Sequence, residues 1–168
     1  MTVHLKRWRM IEDSGCKGGG QMEPVQGLKI RGMTERDFAG IDDVDKRITG
    51  REWAGAASRR ASSHFWGYYA PLSFVAEVDG KIVGFIIGSM GGPEYSLPVS
   101  GWVTTMGVDP DYQGRGIGPA LLKAFTDVCE ISRIPSRMML PRNEHFEKLL
   151  LALGFEQGEL VDYVRMPK

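Results

Sequence analysis

The densest chemistry in this chain lies in seven residues, 113–119, which read QGRGIGP. Gly114, Gly116 and Gly118 alternate with Arg115 and Ile117. Glycines so spaced remove the Cβ atoms that keep a ligand away from the main chain, and they permit positive φ, so that successive N–H groups can converge. Arg115 adds a positive charge. If the run opens a helix, it also offers the unsatisfied donors of the first turn at the positive end of the helix dipole, and Pro119 fits there because a first-turn residue has no intrahelical N–H bond to lose. A helix terminus stabilises an anion by about 0.3–1 kcal/mol and a hydrogen bond to a charged group by about 1.5–3 kcal/mol, so several together suffice for a pyrophosphate. Two other phosphate loops are excluded: the dinucleotide fingerprint G-x-G-x-x-G needs glycine where Pro119 stands, and a P-loop needs Lys then Ser or Thr after its last glycine.

The flanking residues supply the elements that would hold such a loop. Trp102, Thr104, Met106 and Val108 alternate with Val103, Thr105 and Gly107, the two-residue period of a strand, and Asp109-Pro110-Asp111 is turn chemistry. A helix follows from near Ile117, with Ile117, Leu121, Leu122, Phe125, Val128 and Cys129 on one side and Lys123 and Asp127 outside. Cys129 reads as a small core residue. Upstream, 28–33 is a short strand, and Thr34 with Asp37 makes a near capping box for a helix whose Phe38, Ile41, Val44 and Ile48 should face the core before Gly50 stops it. A second helix is expected over 51–69, burying Trp53, Ala57 and Phe65 or Trp66. Arg47, Arg51, Arg59 and Arg60 form a basic run, read as a solvated face with binding of an acidic acceptor as the alternative.

Residues 73–78 and 81–89 flank Asp79-Gly80, the strongest short hairpin signal. A loop over 91–101 containing Glu94, Tyr95 and Pro98 returns the chain into the 102–108 strand, making an antiparallel meander. Downstream, 137–140 is a short buried strand, parallel to 102–108 because a helix crosses between them. Asn143 caps a last helix that ends at Gly154, and 160–166 is a final strand. The fold class is α/β (α+β): a mixed, mostly antiparallel sheet with a parallel pair and flanking helices.

Composition excludes other functions. Apolar residues make up 42% and charged residues 25% of 168, with zero formal net charge, so nothing predicts a nucleic-acid or anionic-membrane partner. Cys16 and Cys129 form no disulfide framework and sit in no metal-ligand spacing, and no apolar run spans a bilayer; a cytoplasmic setting follows, with no metal. Residues 1–26 lack a sustained period and read as a flexible extension, with Met22 a plausible true start, ahead of one domain over 27–168.

With Gln113, Gly116 and Gly118 filling Q/R-x-x-G-x-G/A, and with the V-D-P-x-Y-Q lead-in and the apolar helix around it, the stretch resembles the acyl-CoA-binding motif of the GNAT superfamily of N-acetyltransferases. The resemblance implies the GNAT fold, with acetyl-CoA as acyl donor and a primary amine of a protein, peptide or small metabolite as acceptor. It implies that the two parallel strands splay and that the pantetheine arm hydrogen-bonds to the main chain of Met106, Gly107 and Val108, with Gly107 easing a bulge. The donor contacts carried over are those three residues, Gln113, Gly114, Arg115, Gly116, Ile117, Gly118, Pro119 and Asn143. The first two helices would lie over the acceptor site, where Glu94, Tyr95 and Thr104 are acceptor-side candidates by position.

Two departures qualify the implied reaction. The tyrosine that usually protonates the leaving thiolate is replaced by Leu150, and the glutamate some relatives carry on the preceding strand has Met138 as its nearest equivalent. A non-catalytic acyl-CoA sensor is therefore the alternative. After Phe155 only a single strand is expected where many relatives have a hairpin, which implies an open acceptor site or one completed in a homodimer.

Overall fold

The computed structural model describes residues 25–50, 70–92, 97–138 and 144–158. The expected 51–69 helix with Arg51, Arg59 and Arg60, the extension before residue 25, Glu94, Tyr95, Asn143 and the 160–166 strand all lie outside them. The elements in chain order are β1 (Lys29–Gly32), α1 (Phe38–Thr49), β2 (Phe74–Val78), β3 (Lys81–Gly91), β4 (Ser100–Val108), α2 (Ile117–Ile131), β5 (Ser136–Met138) and α3 (Glu144–Ala152). The chain divides into two compact units: Gly19–Leu140 holds the sheet with α1 and α2, and α3 belongs to the unit that includes Pro141–Lys168.

The sheet order is β1-β2-β3-β4-β5, with antiparallel neighbours throughout except the parallel pair β4 and β5. This is the mixed sheet the sequence implies. The β2–β3 turn falls on Asp79 and Gly80, whose φ values of 49° and 80° match the twist of a two-residue hairpin. β3 is central and buried from Ile82 to Gly88.

On one face, Val75, Phe85 and Ile87 pack with Met33, Ile41, Val44 and Ile82, and Phe38 closes the cluster. The α1 entry is fixed by Asp37. Its carboxylate accepts from Thr34 N at 2.7 Å and Thr34 Oγ1 at 2.9 Å, while Arg31 forks onto it at 2.7 and 2.8 Å. A single 3-10 turn, Glu35–Asp37, precedes the helix proper. Ile48 departs from its expected core position, being 41% exposed. Its Cδ1 lies 2.6 Å from where a Cβ on Gly107 would stand, so it covers bare strand backbone on one side and stays open on the other.

On the opposite face, α2 buries Ile117, Leu121, Leu122, Phe125 and Cys129. The sheet meets it with glycines: a Cβ on Gly84 would stand 3.2 Å from Ile117 Cγ2, one on Gly88 2.6 Å from Phe125 Cε2, and one on Gly101 2.5 Å from Cys129 Sγ. Burial pushes the Cys129 thiol up, in keeping with a core residue.

Two further expectations need correction. The bulge in β4 is at Thr104, where the register passes from Ile87↔Thr105 to Gly88↔Val103, and not at Gly107. Gly107 is required instead by packing, since a Cβ there would press on Ile48 and, at 3.1 Å, on the Phe85 ring. β5 starts at Ser136 and is half-buried, because its described ladder borders a single strand, from Gly101↔Ser136 to Val103↔Met138.

Described by itself, α3 ends in a Schellman turn: Phe155 N donates to Leu150 O and Gly154 N to Leu151 O, each at 3.0 Å. No described helix is long and apolar enough to cross a membrane.

Candidate functional site

β4 delivers the chain to the glycine loop. Asp109 N donates to Val83 O at 2.9 Å, which carries the strand pairing one residue beyond Val108. Its fully buried carboxylate then accepts from Asp111 N at 3.0 Å, and its carbonyl accepts from Tyr112 N at 2.8 Å, which closes the 3-10 turn Pro110–Tyr112. Gln113 reaches back and donates from Nε2 to Val108 O at 3.0 Å. The loop is thus tied to the strand at both its turn and its first motif residue.

Gly114 and Gly116 have φ of 74° and 79°, a left-handed conformation that excludes most side chains, and Gly116 is the N-cap of α2. The first intrahelical bond beyond the cap runs from Ala120 N to Gly116 O at 3.1 Å. Ile117 and Gly118 precede it, so their N–H groups are first-turn donors, and Pro119 has none to leave unpaired. Gly118 is bare for a different reason. A Cβ there would stand 3.8 Å from Met106 Cε and 4.0 Å from Val108 Cγ2, at ordinary contact, so the protein leaves room for a side chain it lacks. Gly118, in the first turn of α2, thus lies beside the side chains of Met106 and Val108 at the end of β4.

The charges around the loop are arranged in pairs. Arg47, from the last turn of α1, donates from Nη1 to Asp109 Oδ2 and from Nη2 to Asp111 Oδ2, each at 2.5 Å. Hydrogen bonding to Asp111 holds the Arg47 guanidinium above its ordinary range, and the same bond holds the Asp111 carboxyl below its own. Arg47 is exposed, as expected of a solvated basic face, and its guanidinium is paired there with the two loop carboxylates. Lys81 Nζ lies 3.6 Å from Asp109 Oδ2. Arg115 lies over the Tyr112 ring at 5.6 Å, and among the described residues its buried Nε has no hydrogen-bond partner.

Farther along β4, Thr104 is exposed at the bulge and its hydroxyl lies 3.2 Å from Ser89 Oγ. The neighbouring Trp102 ring lies beneath the Arg137 guanidinium at 5.8 Å, while Arg137 Nε donates to the buried Ser100 hydroxyl at 3.0 Å. The sequence sets Arg47 in a basic run but gives no sign of its bonds to Asp109 and Asp111, nor of the burial of Asp109. The Asp-Pro-Asp turn signalled local geometry, but nothing in residue spacing linked it to an arginine sixty-two positions earlier.

Chemically, the arrangement offers first-turn N–H donors and a nearby arginine to an anionic ligand, at the end of β4. The described residues contain no cluster of His, Cys, Asp and Glu able to hold a metal.

Comparisons with known proteins bear on the fold and the family. The sequence matches the Acetyltransferase (GNAT) family over residues 40–155. An N-acetyltransferase of Methanocaldococcus jannaschii, itself uncharacterized, is 30% identical over 143 residues, covering 77% of this chain and 85% of that protein. Among solved structures, the aminoglycoside acetyltransferase AAC(6')-Iy, bound to the bisubstrate analog CoA-S-monomethyl-acetylneamine, superposes with a TM-score of 0.67 at 20% identity, over 84% of this chain and 99% of that one. A ribosomal-protein-alanine N-acetyltransferase from Brucella melitensis biovar Abortus gives 0.63 at 19% identity, over 84% and 99%. These structures share the fold. The family match runs from α1 through the glycine loop to the end of α3, and the chain belongs to the GNAT acetyltransferase family.

Proposed function

We propose that this protein is an N-acetyltransferase that takes the acetyl group of acetyl-CoA and passes it to a primary amine by direct attack. The observation that carries the proposal is the loop of positive-φ glycines opening straight into α2, with bare Gly118 against Met106 and Val108. In this reading the Gly114–Gly118 main chain and Arg115 bind the donor's pyrophosphate. Main-chain groups of Met106 and Val108, which by strand alternation point away from β3, orient the pantetheine arm and face the developing oxyanion, while Gly107 pairs with Phe85. Relatives solved with CoA, or with a CoA conjugate of an aminoglycoside, support the donor assignment.

The missing acid at Leu150 does not remove catalysis. General acid or base help is worth about 10²- to 10⁴-fold, or about 3–5 kcal/mol, whereas holding two reactants in attack geometry supplies about 7–11 kcal/mol. A cysteine-like thiol ionising near pH ~8.5 also leaves as a thiolate without a donor. The amine's proton leaves through water to a base, and the CoA sulfur departs as a thiolate. The acceptor is the finer question, because relatives sharing the fold are named for aminoglycosides and for a ribosomal-protein alanine. Thr104 and, from the sequence alone, Glu94 and Tyr95 are the acceptor-side candidates.

Thiol release from acetyl-CoA is the test, run over a panel of aminoglycosides, polyamines and peptides with free N-termini. Amine-dependent release supports the proposal. Leu150 favours one rival, a non-catalytic acyl-CoA sensor, which predicts calorimetric CoA binding with no release above background for any amine. Absence of CoA binding overturns both.

A further inference from the structure

We propose that Arg47 is a positioning residue of the donor site, holding residues 109–118 in their anion-receiving geometry by clamping Asp109 and Asp111 from the end of α1. The inference rests on reading that loop as the acyl-CoA site, and it places a determinant of donor affinity outside the glycine motif.

The buried carboxylate makes the clamp necessary. Asp109 is 0% exposed, and a buried carboxylate left without a cation is strongly disfavoured. One of its oxygens takes Asp111 N and the other takes Arg47 Nη1. Lys81, at 3.6 Å and more than half exposed, is a weaker partner. The position of Arg47 therefore decides where Asp109 can point. Asp109 in turn sets the Pro110–Tyr112 turn through its side chain and its carbonyl, and that turn aims Gln113 and the glycines beyond it.

The clamp is anchored rather than loose. α1 is held by fully buried Ile41 and Val44, and it is stopped at Gly50, whose N–H donates to Lys46 O at 3.0 Å. Arg47 sits in the last helical turn, where the dipole favours a cation. One residue on, Ile48 lies against Gly107, so the same turn touches both the loop and the strand assigned to the donor. Arginine is needed because one planar fork reaches two carboxylates at once, whereas a lysine ammonium on a flexible stem does not hold that geometry. Removing the clamp leaves Ile41 and Val44 in the core but strands the buried Asp109 carboxylate with Lys81 as its nearest cation, so it costs stability as well as loop order.

The test measures CoA affinity by calorimetry beside the Tm of the ligand-free protein, for wild type, Arg47→Ala, Arg47→Lys, Asp109→Asn, Asp111→Asn and the double variant Arg47→Ala with Asp109→Asn. If one loop conformer in about ten remains competent without the clamp, Kd rises about tenfold in Arg47→Ala. Arg47→Lys should recover part of that loss, and Asp111→Asn should have a small effect because its carboxylate is exposed. Arg47→Ala and Asp109→Asn should be non-additive in Kd, since they break one interaction. Should Arg47→Ala fail to fold, a folded Arg47→Lys protein with wild-type affinity would still overturn the proposal. So would wild-type affinity in Arg47→Ala, or additive losses in the double variant. Wild-type protein that binds no CoA would instead overturn the donor-site reading, and the role of Arg47 with it.

Discussion

Glycine serves two separable purposes in this molecule, and single substitutions should separate them. Gly88 faces Leu72 O and Phe125 Cε2 at 2.5 and 2.6 Å from a notional Cβ, so Gly88→Ala is expected to cost about 1–3 kcal/mol by overpacking, read as a lower urea midpoint. A Cβ at Gly118 meets only ordinary contacts, so Gly118→Ala should keep stability within about 0.5 kcal/mol while weakening CoA by blocking its approach to the main chain, and Gly118→Val should weaken CoA about tenfold or more. Equal CoA affinity in Gly118→Val would remove Gly118 from the donor surface. Asp37 carries a pH prediction. Burial alone would raise its carboxyl, but the bonds from Arg31 and Thr34 outweigh that and hold it below the usual range. A depressed folded value means the stabilisation is present above the unfolded value near pH ~3.9 and is lost as pH falls through the folded one. Asp37→Asn should therefore cost about 1.5–3 kcal/mol at neutral pH. The gap should shrink in acid, and urea midpoints that stay equally far apart below pH ~4 would contradict it.

The elements differ in how much of them local residues dictate. The β2–β3 hairpin depends on two residues at positive φ, so Gly80→Ala should destabilise by about 1–2 kcal/mol while Asp79→Asn stays near neutral, both checked by thermal melts. This hairpin, the Thr34 cap, the α2 stripe and the end of α3 at Gly154 were all legible in the sequence, because each is set by chemistry within a few positions. What was not legible came from partners distant in the chain. Ile48 fits the helical period yet remains exposed, since what it meets is the bare backbone of Gly107. The bulge fell at Thr104 rather than Gly107 because register is a property of two strands, and no residue type in β4 alone announces it. Within the candidate site, the glycine loop was readable from spacing, whereas the Arg47 clamp became visible only once α1 and the loop were seen together.

For the whole molecule, donor binding should appear as stability. A ligand at a hundredfold excess over its Kd adds about 2.7 kcal/mol, which in a chain of this size raises Tm by about 5–10 °C. Acetyl-CoA should give that shift in a thermal scan and an amine alone should not; an unchanged Tm at saturating acetyl-CoA would count against the donor site. The glycines at 84, 88 and 101 bear on how α2 is held. Because Gly84, Gly88 and Gly101 put no Cβ between sheet and helix, α2 seats close against the strand backbone there, and a side chain at any of the three would press it away. The packed middle of α2 is thereby set apart from the loop at its head, and the central α2 amides should exchange their hydrogens only when the whole fold opens.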